Sequence, residues 1–211
     1  MSLRTFITAG AAAVGLLMGT AAVADATTTA TYDFGYESGF EGWVAQTDET
    51  TGTQDCPVRH NSTIVHSTDK ARTGTHSLDF QTNGVSDCGL VYVQRQFQVG
   101  TTSPVQLDLS FWLWSPDTTG GGTGGKNRAL AYSGADCVTD PEGPVGGNWQ
   151  GFTDLGYTGH EGGPGWYQYS YRATVTPDSS GRICVAQAVM IASTYTIFKS
   201  YYLDDTTVTV S

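Results

Sequence analysis

From Val105 to Trp114 the apolar residues Leu107, Leu109, Phe111 and Leu113 occupy every second position, opposed by Asp108, Ser110, Trp112 and Trp114. Successive side chains of an extended chain point to opposite faces, so this alternation predicts a strand with one face in a core. Leu90 to Val99 repeats the pattern. Val91, Val93, Phe97 and Val99 share a side, with Arg95 as the exception, opposite Tyr92, Gln94, Gln96 and Gln98. In Trp166 to Val175, Tyr167, Tyr169, Tyr171, Ala173 and Val175 oppose Gln168, Ser170, Arg172 and Thr174. Arg182 to Ile191 is apolar on both sides, as for a strand covered on both faces. Tyr201 to Val210 forms a last strand, and shorter strands are expected over 30–34, 62–66 and 77–81.

Two stretches break the pattern. Ser115 to Asn127 carries Gly120-Gly121-Gly122 and Gly124-Gly125, and Asp136 to Gly165 carries Pro141, Pro144, Pro164 and many glycines. Both are expected to be loops rather than strands. Past the first 26 residues no segment shows a helical period with caps. At least eight strands without helices bury their one-sided apolar rows only by facing each other in two packed sheets. The fold expected is therefore all-β, a two-sheet sandwich in one domain over residues 27–211.

The N-terminus changes the setting. Arg4 precedes an uncharged apolar run from Phe6 to Leu17, and Ala22-Val23-Ala24 matches a signal-peptidase site, with cuts expected after Ala24 or Ala26. The run is shorter than the ~20 apolar residues that span a bilayer, so the reading is a signal peptide and a secreted protein. The formal net charge of −10 repels phosphate backbones and anionic lipid, which excludes nucleic acid and membrane insertion as expected partners. The four cysteines, Cys56, Cys88, Cys137 and Cys184, contain no CxxC pair, and an even number in an exported chain reads as two disulfides. Three pairings are possible. The one that closes each half of the chain separately is Cys56–Cys88 with Cys137–Cys184.

Several segments, in order, resemble jelly-roll carbohydrate-binding modules of the galactose-binding-like superfamily. Tyr32-Asp33-Phe34 with Glu37-Ser38-Gly39-Phe40-Glu41-Gly42-Trp43 is similar to their opening, and Gly74-Thr75-His76-Ser77-Leu78 to their G-x-x-S-L turn. Leu107 to Trp114 resembles their L-S-F-W strand, Gly165-Trp166 a later strand entrance, and Tyr201-Tyr202-Leu203-Asp204-Asp205-Thr206 their closing strand. The resemblance implies a jelly-roll form of the sandwich and, in many members, a structural calcium. Its ligands here would be Glu37, the turn from Asp69 through Thr75 to His76, and Asp204 or Asp205.

Sugars are held by aromatic faces together with planar amides, carboxylates and Arg that bond to hydroxyls. The polar sides of three strands offer that mixture, in Tyr92, Gln94 and Gln96, in Asp108, Trp112 and Trp114, and in Gln168 and Arg172. If the strands share a sheet, these residues form one ligand face. Catalysis has thinner support. His60, His66, His76 and His160 are scattered, and no G-x-S-x-G or H-E-x-x-H motif occurs. The leading expectation is a secreted, non-catalytic, lectin-like protein that binds a polysaccharide or glycan. An extracellular structural or interaction domain without a sugar ligand is the alternative, and a polysaccharide-acting hydrolase or lyase stands third.

Overall fold

The alternating segments become eleven strands in a computed structural model that describes residues 29–48, 62–82, 89–117, 127–138, 151–159, 163–191 and 198–211. In chain order they are β1 (Ala30–Phe34), β2 (Val44–Asp48), β3 (Ser62–Ser67), β4 (Ser77–Thr82), β5 (Leu90–Gln98), β6 (Val105–Ser115), β7 (Asn127–Gly134), β8 (Phe152–Tyr157), β9 (Gly165–Val175), β10 (Arg182–Ile191) and β11 (Lys199–Val210). Among the described residues every regular element is a strand. One sheet runs β3-β4-β11-β6-β9, with β1 also on β11, and the other runs β2-β5-β10-β7-β8. All pairings are antiparallel. The four-strand orders β4-β11-β6-β9 and β5-β10-β7-β8 are those of a jelly roll, in which the chain crosses repeatedly between two sheets.

Three strands depart from expectation. β8 lies inside the Asp136–Gly165 stretch read as a loop, while β2 and β7 were not anticipated. Half of β7 is Ala, Ser or Gly, and β8 carries Gly156 at φ 105° beside a register shift at Ala129/Leu130. Neither shows clean alternation. Pairing with β10 and with each other makes them strands, a tertiary effect that overrides weak local preference.

The core lies between the sheets. Leu107, Leu109, Phe111 and Leu113 of β6 face Val91, Val93 and Phe97 of β5 and Ile183, Val185 and Val189 of β10, all buried. Each such side chain contributes about 1.5–3 kcal/mol of hydrophobic stabilisation. Arg95 interrupts the β5 row without reaching the centre. Its guanidinium lies over Phe34 (4.6 Å) and Phe97 (5.4 Å) and donates to the Glu41 carbonyl.

Two polar networks are embedded in this interior. Tyr36 donates to Thr206 Oγ1 (2.8 Å), which donates to Gln187 Oε1 (2.9 Å). Burial pushes the Tyr36 phenol far above its usual range, so it stays a donor. Asp117 receives Lys199 Nζ (2.6 Å), Thr158 Oγ1 (2.7 Å) and Tyr201 Oη (2.8 Å). A disulfide joins Cys137 to Cys184, as one of the three pairings requires, and ties residues 134–138 across the outer face of β10. Cys56, Cys88 and the N-terminal segment read as a signal peptide lie outside the described residues.

β11 organises the site below. One edge pairs with β4 through 199–203 and then with β1 through 206–210, while its other edge pairs with β6. Between the two partners the register shifts at Asp204/Thr207, and Asp205 takes φ 45°. A non-glycine residue in the left-handed region at a bulge turns its side chain out of the regular alternation.

Candidate functional site

The register of β11-β6-β9 stacks four cross-strand rows on the outer face of the first sheet. Thr209, Asp108 and Arg172 form one row, Thr207, Ser110 and Ser170 the next. Asp204, Trp112 and Gln168 follow, then Tyr202, Trp114 and Trp166. The row of Thr207, Ser110 and Ser170 floors an open trough of about 540 Å³ also lined by Asp108, Leu109, Tyr171, Arg172 and Thr209. At one end Arg172 Nε donates to the Asp108 carboxylate. At the other, Gln168 Nε2 donates to Ser110 Oγ (3.0 Å) beside Trp112. Short hydroxyl side chains leave the depth, Asp108 and Arg172 bound it, and Trp112 with Gln168 forms the next row of the face.

The tryptophans carry cations from the turn between β3 and β4. The Arg72 guanidinium lies 3.8 Å from the Trp112 ring centroid, and Lys70 Nζ lies 4.4 Å from that of Trp114 and 5.9 Å from Tyr202. Cation–π contacts of this kind contribute about 0.5–2 kcal/mol. The turn is held at both ends by carboxylates. Asp204 Oδ2 accepts from the backbone N–H groups of Arg72 (2.7 Å) and Thr73 (3.2 Å). Glu37 Oε1 accepts from the N–H groups of Thr75 (2.9 Å) and His76 (3.0 Å), and its Oε2 from Thr75 Oγ1 (2.9 Å). These bonds, the backbone N–H of His76 first and that of Thr75 next, pull the Glu37 carboxyl down to about 2. Gly74 sits between the bonded residues at φ 63°, and a Cβ there would lie 2.2 Å from Glu37 Oε1, so the close approach requires glycine.

Asp205 completes the cluster. Its Oδ2 takes Arg72 Nη1 (2.5 Å) and its Oδ1 takes Thr73 Oγ1 (2.6 Å). Of the five residues the resemblance offers to calcium, Glu37, Thr75, Asp204 and Asp205 therefore meet around one turn. Asp69 bonds elsewhere, its N–H donating to Ser67 Oγ (3.1 Å). As arranged, the donor set does not fit a calcium ion. The turn directs N–H groups at the carboxylates, whereas calcium needs carbonyl and carboxylate oxygens directed at the ion. Among the described residues no three His, Cys, Asp or Glu side chains converge as metal ligands. His66 and His76, scattered in sequence, stack ring on ring with centroids 4.5 Å apart, and His66 Nε2 donates to the Tyr36 carbonyl (2.6 Å). His60 and His160 lie outside the described residues.

Of the eight residues expected in one ligand face, Asp108, Trp112, Trp114, Gln168 and Arg172 do share it. Tyr92, Gln94 and Gln96 do not. β5 belongs to the opposite sheet, because the jelly-roll crossing sends β4, β5 and β6 to alternate sheets. Tyr92 and Gln94 are buried there beneath the disulfide-tied segment, Tyr92 Oη donating to the Val138 carbonyl (2.9 Å) and Gln94 Oε1 accepting from the Val138 N–H (2.9 Å). Gln96 is exposed on that same outer face. The residues of this face that the sequence reading does not offer are Lys70, Arg72, Ser110, Ser170, Thr207 and Thr209. Ser110 and Ser170 stand in the alternation beside residues that were chosen. No local signal marks Lys70 or Arg72, which reach the face from a turn.

No family model matches the chain. No curated protein does so either. Solved structures that it resembles include carbohydrate-binding modules from the β-sandwich superfamily, at 15% identity over 81% of this chain and 58% of that one, TM-score 0.45. Another is TmCBM61 in complex with β-1,4-galactotriose (12% identity, 82% of this chain and 92% of that one, TM-score 0.44). A third is the CBM22-2 xylan-binding domain from Paenibacillus barcinonensis (12% identity, 85% of this chain and 99% of that one, TM-score 0.49). This chain's own strand order, not these likenesses, establishes its jelly roll.

Proposed function

We propose that this chain is a secreted protein that binds a polysaccharide or glycan without transforming it, through the outer face of β11-β6-β9. The observation that carries the reading is the open trough of about 540 Å³ with a floor of hydroxyl side chains. The Asp108–Arg172 pair lines it, and Trp112 and Gln168 form the adjoining row of the same face. That face suits a pyranose chain, whose hydroxyls exchange bonds with the donors and acceptors of the trough while its C–H patches rest on Trp112 in the adjoining row.

A second reading has its own observation. Both Trp112 and Trp114 carry a cation on the ring, so the aromatics also serve as packing for the turn from β3 to β4. On that reading the face is structural, and the protein is an extracellular interaction domain with no sugar ligand.

Binding of the mature protein to a panel of insoluble polysaccharides and soluble glycans decides between them. Saturable binding that weakens about fivefold or more in Trp112→Ala is expected, since an aromatic contact contributes about 1 kcal/mol or more. Tyr157→Ala, an exposed change on the opposite sheet, is expected to bind as wild type does. Loss in Tyr157→Ala but not in Trp112→Ala would move the site to the other sheet. A folded protein that binds nothing on the panel would leave the interaction domain.

A further inference from the structure

The cluster at the β11 bulge has all six of its carboxylate oxygens accounted for. Glu37 and Asp204 are spent on backbone N–H groups, Asp205 on Thr73 Oγ1 and on Arg72. Glu37, at the far end of the turn, has His76 Nδ1 3.5 Å from its Oε2, whereas the adjacent Asp204 and Asp205, in a chain of net charge −10, need a counter-charge at the bulge itself. The structure supplies one from within. Arg72 places its guanidinium between Asp205 on one side (2.5 Å) and the Trp112 ring on the other (3.8 Å). Its own backbone N–H is bonded to Asp204 (2.7 Å), which fixes where the side chain starts. Asp205 reaches it only because the bulge turns that residue outward at φ 45°, a conformation a non-glycine residue adopts at a cost.

We infer that Arg72 is the resident cation of this cluster, neutralising the acids of the β11 bulge in place of a divalent ion and holding Trp112 against the turn. Arg72 is on this account a positioning residue for Trp112, in the row beside the trough. A planar guanidinium suits the task where an ammonium does not, because it bonds a carboxylate edge-on while stacking its face on an indole. The positioning role rests on the glycan reading of that face, whereas the charge assignment does not.

The test compares the melting of the mature wild type, Arg72→Met and Arg72→Lys in chelator and in millimolar calcium. Wild-type Tm is expected to stay within about 1 °C between the two conditions. Arg72→Met is expected to melt about 2–4 °C lower. Its tryptophan emission should also shift, and the shift should vanish in a Trp112→Phe background. Arg72→Lys, which keeps the charge and loses the planar stack, should retain part of the Tm but show the same emission shift. A wild-type protein that gains several degrees in calcium would overturn the inference, as would an Arg72→Met variant matching wild type in both Tm and emission. Glycan binding is read in parallel. Its absence in every variant, with the Tm and emission results as expected, would refute the glycan reading and leave the role of Arg72 standing.

Discussion

Replacing Lys199 by methionine removes the positive half of a buried ion pair whose side chains are 7% and 5% exposed. The variant keeps the length and apolar stem of the side chain, so the change is chiefly electrostatic. Removing one partner from a buried pair costs about 3–5 kcal/mol, because the remaining charge stays in low dielectric without its counter-ion. Asp117 would still receive Tyr201 Oη (2.8 Å) and Thr158 Oγ1 (2.7 Å). Each such bond contributes about 1 kcal/mol, which sets the expectation at the lower end, about 3 kcal/mol. For a domain of this length that is a fall in Tm of about 6–12 °C.

The assay is urea denaturation followed by tryptophan fluorescence, for wild type, Lys199→Met, Asp117→Asn and the double variant. Asp117→Asn strands the ammonium and is expected to cost a similar amount. The double variant holds no buried charge at this position, so it should be more stable than the sum of the single losses implies, by at least about 1.5 kcal/mol. Single losses below about 1 kcal/mol, or losses that add to within ~0.5 kcal/mol, would refute the reasoning and mean that solvent reaches the pair.

Asp79 and Glu37 make opposite predictions about pH. Asp79 is buried on β4 with Oδ1 unpartnered, and burial raises its carboxyl pKa despite bonds from Gln81 and Ser200. A raised carboxyl penalises the folded state where it must ionise, above its ordinary range, and the penalty is absent below it. Asp79→Asn is therefore expected to stabilise by about 1 kcal/mol at pH 7, with no gain once pH drops below 3.8; an equal gain at every pH counts against the buried charge. Glu37 is lowered from 4.5 to about 2, so its hold on the turn is present above 4.5 and lost as pH falls through about 2. Its carboxyl titration by NMR should centre near that lower value, moving with the Thr75 and His76 amide signals, and a midpoint near 4.5 would show that those bonds do not form in solution.

Where strands lie, and which way their side chains point, was legible in the sequence for β1, β3, β4, β5, β6, β9, β10 and β11. Alternation is a property of a single extended segment, and Leu107, Leu109, Phe111 and Leu113 point inward in any sandwich containing them. For the same reason Asp108, Trp112 and Trp114 were correctly set on an outer face, with Gln168 and Arg172 as companions. Partnership between strands is a different kind of information. It depends on which crossings close around a common core, and residues alternate identically whichever sheet receives them. Tyr92 and Gln94 on β5 thus shared the pattern of β6 and β9 and ended on the opposite sheet under Val138. β7 and β8 became strands only by pairing, and Arg72 met Trp112 only because a bulge in β11 turned Asp205 toward a turn far away in the chain. Local chemistry determined the faces; long-range pairing decided what each face would meet.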